Sequence, residues 1–386
     1  MRNRVLGNPW KWYRSMADRS LFCLASVLSG CETGVSPQPD GPVAEPVSSE
    51  LVVISQGDTL FSLSAAKWPG GSQAAVSITY DAPWGTHNNH HLATDAVIER
   101  GLRMDLEVVS WIYENEDHFR HLPSVYRDVL QPQGISFFGH GHTHALHDTM
   151  TYAQALASFK TNFDLMMAWG LEPRAYAYPG SSGLRESTQR ACQEAGFICA
   201  RGMSRHPLDA IMLAGEKTEP HNWYFLPSVA MGNASHLYID NHEKLLPILD
   251  KALEVGGWVI LMYHAIGIPE GWSYYPIVDF ERDLEAISSR SFWSANLDAA
   301  AAYVKERNNL TLEITRLANG SAVDTVDVRI GDGLADIVFN EPIEFYLTTS
   351  SKSVSLPGLN VTAYQHQPAT FRIVPTDATY TLYVTP

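Results

Sequence analysis

Between Ala74 and Arg307 the chain alternates short apolar, β-branched runs with longer segments of helical periodicity. Strand-like stretches fall at Ala74–Tyr80, Leu106–Trp111, Gly134–Phe138, Ala175–Tyr178, Phe197–Ala200 and Gly257–Tyr263. Helix-like stretches fall at Leu92–Arg100, Tyr152–Trp169, Ser187–Ala195, Leu245–Val255, Phe280–Ser288 and Ala295–Arg307. Repeated β-then-α units require a parallel sheet covered by helices, either open or closed into a barrel. After Asn309 the pattern changes to Thr, Val, Ile and Tyr, broken by Gly, Asn and Pro at short intervals. That composition predicts a small all-β sandwich.

Polar residues fall where this map gives them meaning. Asp81 follows one strand, the stretch FFGHGHTHALHD (Phe137 to Asp148) ends another, Tyr178-Pro179-Gly180 ends a third and His264 a fourth. Parallel α/β architectures collect functional groups at the carboxyl ends of strands. Taken singly, each residue has a plainer reading: the Asp as a helix cap, the His as a satisfied core or surface group, the Arg as solvated. Their shared topological position favours a site. Two closely spaced histidines plus a further ligand suit zinc or a similar divalent ion with one position open to water. Hydrolysis then needs a base and an acid, for which Asp81 and His264 are the candidates. Arg174, before the third strand, is expected to hold Asp81 ionised through a charge-assisted hydrogen bond.

The segments carrying these residues resemble the polysaccharide deacetylases of carbohydrate esterase family 4, over roughly 68–308. AAVSITYD (Ala74–Asp81) is similar to that family's first motif, a strand ending in Thr-Phe-Asp-Asp-Gly. HGHTH (His140–His144) is similar to the second, RAYAYPGSSG from Arg174 to the third, and VILMYH to His264 to the closing strand; EAGFICARG resembles the usual continuation of the third. The resemblance implies a distorted (β/α) barrel, with Asp81 as base, His264 as acid and Arg174 orienting the base. It further implies His140 and His144 as metal ligands, most simply of zinc, and the Gly180 backbone N–H as an oxyanion donor. Trp84, Trp272, Tyr274 and Tyr275 are expected to offer sugar-stacking surfaces, and Trp258, inside a strand, to be core.

One departure matters. Where the family has a second Asp that ligates the metal, this chain has Ala82. Either another group completes the site, or the metal is weakly held, or the catalysis has changed or been lost. His87, His90 and His91 lie just downstream as spare donors, as do His142 and His147 near the cluster.

Before Leu51 the reading is different again. Ser20 to Cys31 is a short apolar segment ending in Leu28-Ser-Gly-Cys31, which predicts a secretory signal, either an ordinary one or one ending in a lipobox with Cys31 acylated. The expected division is a signal segment at 1–31, a flexible tether at 32–50, a deacetylase-like catalytic domain at 51–308 and a β-sandwich at 309–386. Cys192 and Cys199 then remain, as a disulfide or as two buried thiols. The net charge of −15 argues against nucleic acid as a partner, and no run is long enough to span a membrane. The expected protein is therefore an exported, periplasmic or outer-membrane lipoprotein that removes N- or O-linked acetyl groups from a polysaccharide. Two rivals stand beside it: a non-catalytic carbohydrate binder on a degenerate scaffold, and a hydrolase of a non-sugar amide.

Overall fold

The computed structural model describes residues 50–55, 58–81, 86–117, 119–236, 238–320 and 323–386. The expected signal segment, nearly all of the tether, Ala82 and Trp84 lie outside these residues. Two compact units emerge, one spanning 74–298, the other combining 299–386 with the described residues up to Gln73.

In the second unit, β1 (Glu50–Ser55) and β2 (Asp58–Ala65) form a hairpin that precedes the barrel in the sequence. The first unit is a closed barrel of seven parallel strands: β3 (Ala74–Tyr80), β4 (Met104–Val108), β5 (Ile135–Gly139), β6 (Ala175–Ala177), β7 (Cys199–Met203), β8 (Leu226–Ala230) and β9 (Trp258–Tyr263). They pair in chain order, and β9 returns to pair with β3 along Ala75–Tyr80. A short strand, β10 (Phe292–Ser294), pairs with the first half of β3, whereas β4 pairs only with Thr79 and Tyr80. One edge of β3 therefore serves two partners, which is the distortion of this barrel. Its longer helices are α1 (Thr86–Glu99), α2 (Tyr152–Ala168), α3 (Glu186–Glu194), α4 (His242–Val255) and α5 (Ile277–Ser288), while α6 (Leu297–Asn308) falls almost wholly in the second unit.

Strand alternation sorts the barrel side chains into two faces. Val76, Ile78, Tyr80, Leu106, Phe137, Leu261 and Tyr263 belong to one buried apolar cluster with Ala93, Val97, Leu249 and Leu284 of the helices. The alternate residues point inward. Ser77 accepts from Trp258 Nε1 at 3.1 Å, and the Arg201 guanidinium lies 5.0 Å over the Phe138 ring. Trp258 is fully buried, as its place in a strand predicts. The interior is thus polar in places where a barrel of this kind is usually apolar, with Glu107 and Arg201 both 1% exposed.

The second unit corrects the expected domain boundary. β2 pairs antiparallel with β13 (Ile343–Thr349) at Leu63↔Leu347, and β13 pairs with β16 (Ala369–Ile373), so β1 and β2 share one four-stranded sheet with two strands of the C-terminal region. Sequence adjacency had assigned them to the catalytic domain; non-local strand pairing decides otherwise. A second antiparallel sheet has the order β11 (Thr311–Ala318), β12 (Asp324–Gly331), β17 (Thr376–Thr385), β14 (Ser353–Leu356) and β15 (Val361–Tyr364). Val326, Val328, Leu382 and Val384 are buried there, and Phe61, Leu63, Phe345 and Leu347 in the first sheet.

Candidate active site

Three rim residues continue the inward face of their strands. Asp81 follows β3 and His140 follows β5, each still held by the strand ladder: Asp81 N–H donates to Tyr263 O at 2.8 Å, and His140 N–H to Val108 O at 3.0 Å. His264 follows β9. All three are buried, at 3%, 3% and 6% exposure. One layer deeper lie Glu107 on β4 and Arg201 on β7. Asp81, Glu107 and His140 each present a ligand atom, and these atoms lie within 4.8 Å of one another.

Hydrogen bonding fixes the orientation of His140. Its Nδ1 lies 2.9 Å from Ala177 O, which can only accept, so the proton sits on Nδ1 and Nε2 carries the lone pair. Nε2 faces Glu107 Oε2 at 2.9 Å. Among the described residues neither Glu107 oxygen accepts a directed hydrogen bond. Burial and the Asp81 charge push the Glu107 carboxyl well above its usual range, with Arg201 opposing, while burial pulls His140 down to about 4. One imidazole and two carboxylates, buried together with Glu107 lacking a protein donor, fit a small divalent cation.

The guanidinium that meets Asp81 belongs to Arg201, not to Arg174. Arg174 Nε instead donates to Asp298 at 2.9 Å. The reason is topological: Arg174 precedes β6 and so stands at the amino end of the barrel, whereas Asp81 follows β3 at the carboxyl end. Ala177 and Arg201 are register partners across β6 and β7, and the small alanine leaves the inward space to the arginine.

The four histidines of the cluster separate. Gly141 takes φ +85, turning the chain, and His144 adopts φ 57, a conformation non-glycine residues seldom hold. The turn sets the His140 and His144 rings 4.9 Å apart. Burial, reinforced by His140, His264 and His147, holds His144 well below the ordinary imidazole range. His142 bonds Ser110 Oγ through Nδ1 at 3.0 Å, and His147 stacks on Phe159 at 4.3 Å while bonding Ser158 at 3.1 Å. Those two serve the fold. His91 is exposed on α1.

On the far side of the rim, His264 meets Trp272 edge-to-face at 4.4 Å, and Trp272 also meets Tyr238 at 6.2 Å. Burial, then Arg201 and His140, hold His264 well below the ordinary imidazole range. Tyr274 is half-buried in the same loop. Tyr275, expected as a stacking surface, is instead fully buried, its hydroxyl donating to Asp283 at 2.7 Å. Gly180 is exposed with φ +56, and its N–H has no bonded partner among the described residues. Cys192 and Cys199 are buried free thiols.

Sequence reasoning missed Glu107 and Arg201. Glu107 shares β4 with Asp105, and Arg201 is the one charge on β7; charges at inward positions of a doubly covered strand are the signal that would have found them.

No family model and no curated protein matches the chain. Its fold is similar to those of solved structures. A family 4 carbohydrate esterase from Streptomyces lividans, in complex with acetate, is 13% identical over 58% of this chain and 92% of that one, with a TM-score of 0.38. Puue allantoinase is 14% identical over 61% of this chain and 91% of that one, at 0.45. A family 4 pseudoenzyme from Bacillus anthracis is 12% identical over 59% of this chain and 65% of that one, at 0.39.

Proposed function

We propose that the protein is a metal-dependent deacetylase that hydrolyses N- or O-linked acetyl groups on a polysaccharide. What carries this reading is the convergence of Asp81, His140 and His264 on one barrel rim, with a buried arginine on Asp81. His140 and His144 would hold the metal, most simply zinc, which when bound polarises the acetyl carbonyl and makes water acidic. Asp81, held by Arg201, takes the proton from the attacking water. The water oxygen bonds to the acetyl carbon and the bond to the sugar nitrogen or oxygen breaks. His264, protonated from solvent as the reaction proceeds, passes that proton to the leaving atom, and Asp81 returns its proton to solvent, so that acetate and a free amine or alcohol result. His264 is neutral at rest, and the negative charge growing on the substrate oxygen favours its protonation. The free Gly180 N–H suits that oxygen as a donor, and Trp272 and Tyr274, with Trp84, suit the flat face of a sugar. The acetylated glycan, export, and attachment to a membrane through an acylated Cys31 belong to the same proposal.

Asp81→Asn and His264→Ala should each abolish acetate release from an acetylated glycan while circular dichroism still reports the native fold, although Asp81→Asn, which leaves the buried Arg201 charge unpaired, should lower Tm. Full activity in either variant would sink the mechanism. Ala82 favours a second reading, a non-catalytic glycan binder; a buried Arg201–Asp81 pair, costly to desolvate and of no use to a pure binder, weighs against it. Release of ammonia or a carboxylic acid from small cyclic amides, with no acetate from glycans, would redirect the assignment to a non-sugar amide.

A further inference from the structure

We propose that Glu107 is a metal ligand, completing with His140 a divalent-cation site beside Asp81 in the mouth of the barrel. The inference rests on the metal-dependent reading above and names the ligand that the sequence leaves open at Ala82. It is carried by the local geometry. Nδ1 of His140 is committed to Ala177 O, so Nε2 offers a lone pair, and it offers it to a carboxylate oxygen 2.9 Å away. Two lone-pair atoms at that separation repel unless a proton or a metal cation lies between them.

The surroundings do not supply a cation by direct bonding. Arg201 meets Asp81, and among the described residues neither Glu107 oxygen accepts a directed hydrogen bond. Solvent is a poor substitute, since Glu107 is 1% exposed. A buried carboxylate with no donor is expensive. A divalent ion shared with His140 removes both difficulties, and the Asp81 carboxylate, within 4.8 Å, adds to the attraction. Mixed imidazole and carboxylate donors suit zinc, manganese or another first-row divalent ion.

The test is metal binding by the full chain, read independently of catalysis. The protein is stripped with a chelator and titrated with Zn²⁺, and affinity is measured by competition with a chromophoric chelator; bound zinc per chain is counted by mass spectrometry. Wild type should bind one zinc, and Glu107→Gln should bind it at least ~10–100-fold more weakly. Zinc should also raise the wild-type Tm and leave that of Glu107→Gln nearly unchanged. If Glu107→Gln does not fold, Glu107→Asp replaces it: weaker binding supports the site and unaltered binding overturns it. A variant that binds zinc as wild type does overturns the role of Glu107 and leaves the deacetylase reading standing on His140 and His144. Wild type that binds no zinc in this titration, and no Mn²⁺ in the same titration repeated with that ion, overturns both, leaving Glu107 and His140 to share a proton only.

Discussion

Arg201 is the residue whose placement most changes how the site works. Its guanidinium is 1% exposed, bonded to Asp81 and seated over Phe138. Removing one member of such a buried pair strands the other charge, at a cost of about 3–5 kcal/mol. Arg201→Met should therefore lower the free energy of unfolding in urea by about that amount. Arg201→Lys keeps the charge but loses the planar fork; it should fold, keep KM near wild type and lose about 100-fold in kcat, as a misaimed base would. Arg174→Ala, at the other end of the barrel, should leave acetate release close to wild type. A loss in Arg174→Ala equal to that in Arg201→Lys would return the orienting role to Arg174. The rim groups were legible because each follows an apolar strand directly: Asp81 after AAVSITY, His140 after ISFFG, His264 after WVILMY. Glu107 and Arg201 were not, because they lie within strands and their use depends on which neighbours the barrel closure brings opposite them.

At the scale of elements, α5 controls the far side of the site through Asp283. This carboxylate is fully buried and accepts from His242 Nδ1 at 2.7 Å, Tyr263 Oη at 2.8 Å and Tyr275 Oη at 2.7 Å. Burial raises its carboxyl to about 6, with the three donors opposing. One tyrosine ends β9, immediately before His264; the other closes the loop that carries Trp272 and returns to the strand through Gly267 N–H to Tyr275 O at 2.9 Å. Asp283 thus ties the acid-bearing strand end and the aromatic loop to one helix. Tyr275→Phe removes only the loop tie. It should cost about 1.5–3 kcal/mol in chemical denaturation, as loss of a hydrogen bond to a charged group does, and raise KM several-fold with kcat little changed. Tyr263→Phe should cost similar stability but lower kcat, because it loosens the backbone beside His264. Identical kinetic effects in the two variants would mean that the network is purely structural. Six of the seven barrel strands were readable from apolar runs. β8 was not, since Leu-Pro-Ser-Val-Ala carries a proline that a strand seldom tolerates, and β10 is three residues long. The pairing of β2 with β13 joins Leu63 to Leu347, far apart in the chain, which no local pattern encodes.

For the whole molecule, the buried histidines predict an acid-labile fold. His147 is fully buried, packed flat on Phe159, and burial holds its imidazole at about 4. In the unfolded chain the same group titrates near 6.5. Above pH 6.5 neither state binds this proton and the native contacts count in full. As the pH falls from about 6.5 to about 4, the unfolded chain takes up a proton that the native barrel refuses, so stability is lost across that window. At 1.36 kcal/mol per pH unit the loss reaches ~3 kcal/mol for this one residue. Protonation of carboxylates contributes over the same range, so the wild-type slope alone does not isolate the histidine. His147→Gln supplies the comparison: an uncharged side chain of similar reach that does not titrate. The variant should be less stable than wild type at pH 7, having lost the ring stack, and the gap should narrow by about 3 kcal/mol as both are titrated to pH 4. Urea midpoints at half-unit pH intervals measure it directly. A gap that stays constant with pH would show that His147 takes up its proton in the native fold as readily as in the unfolded chain, so that burial against Phe159 does not hold the ring neutral.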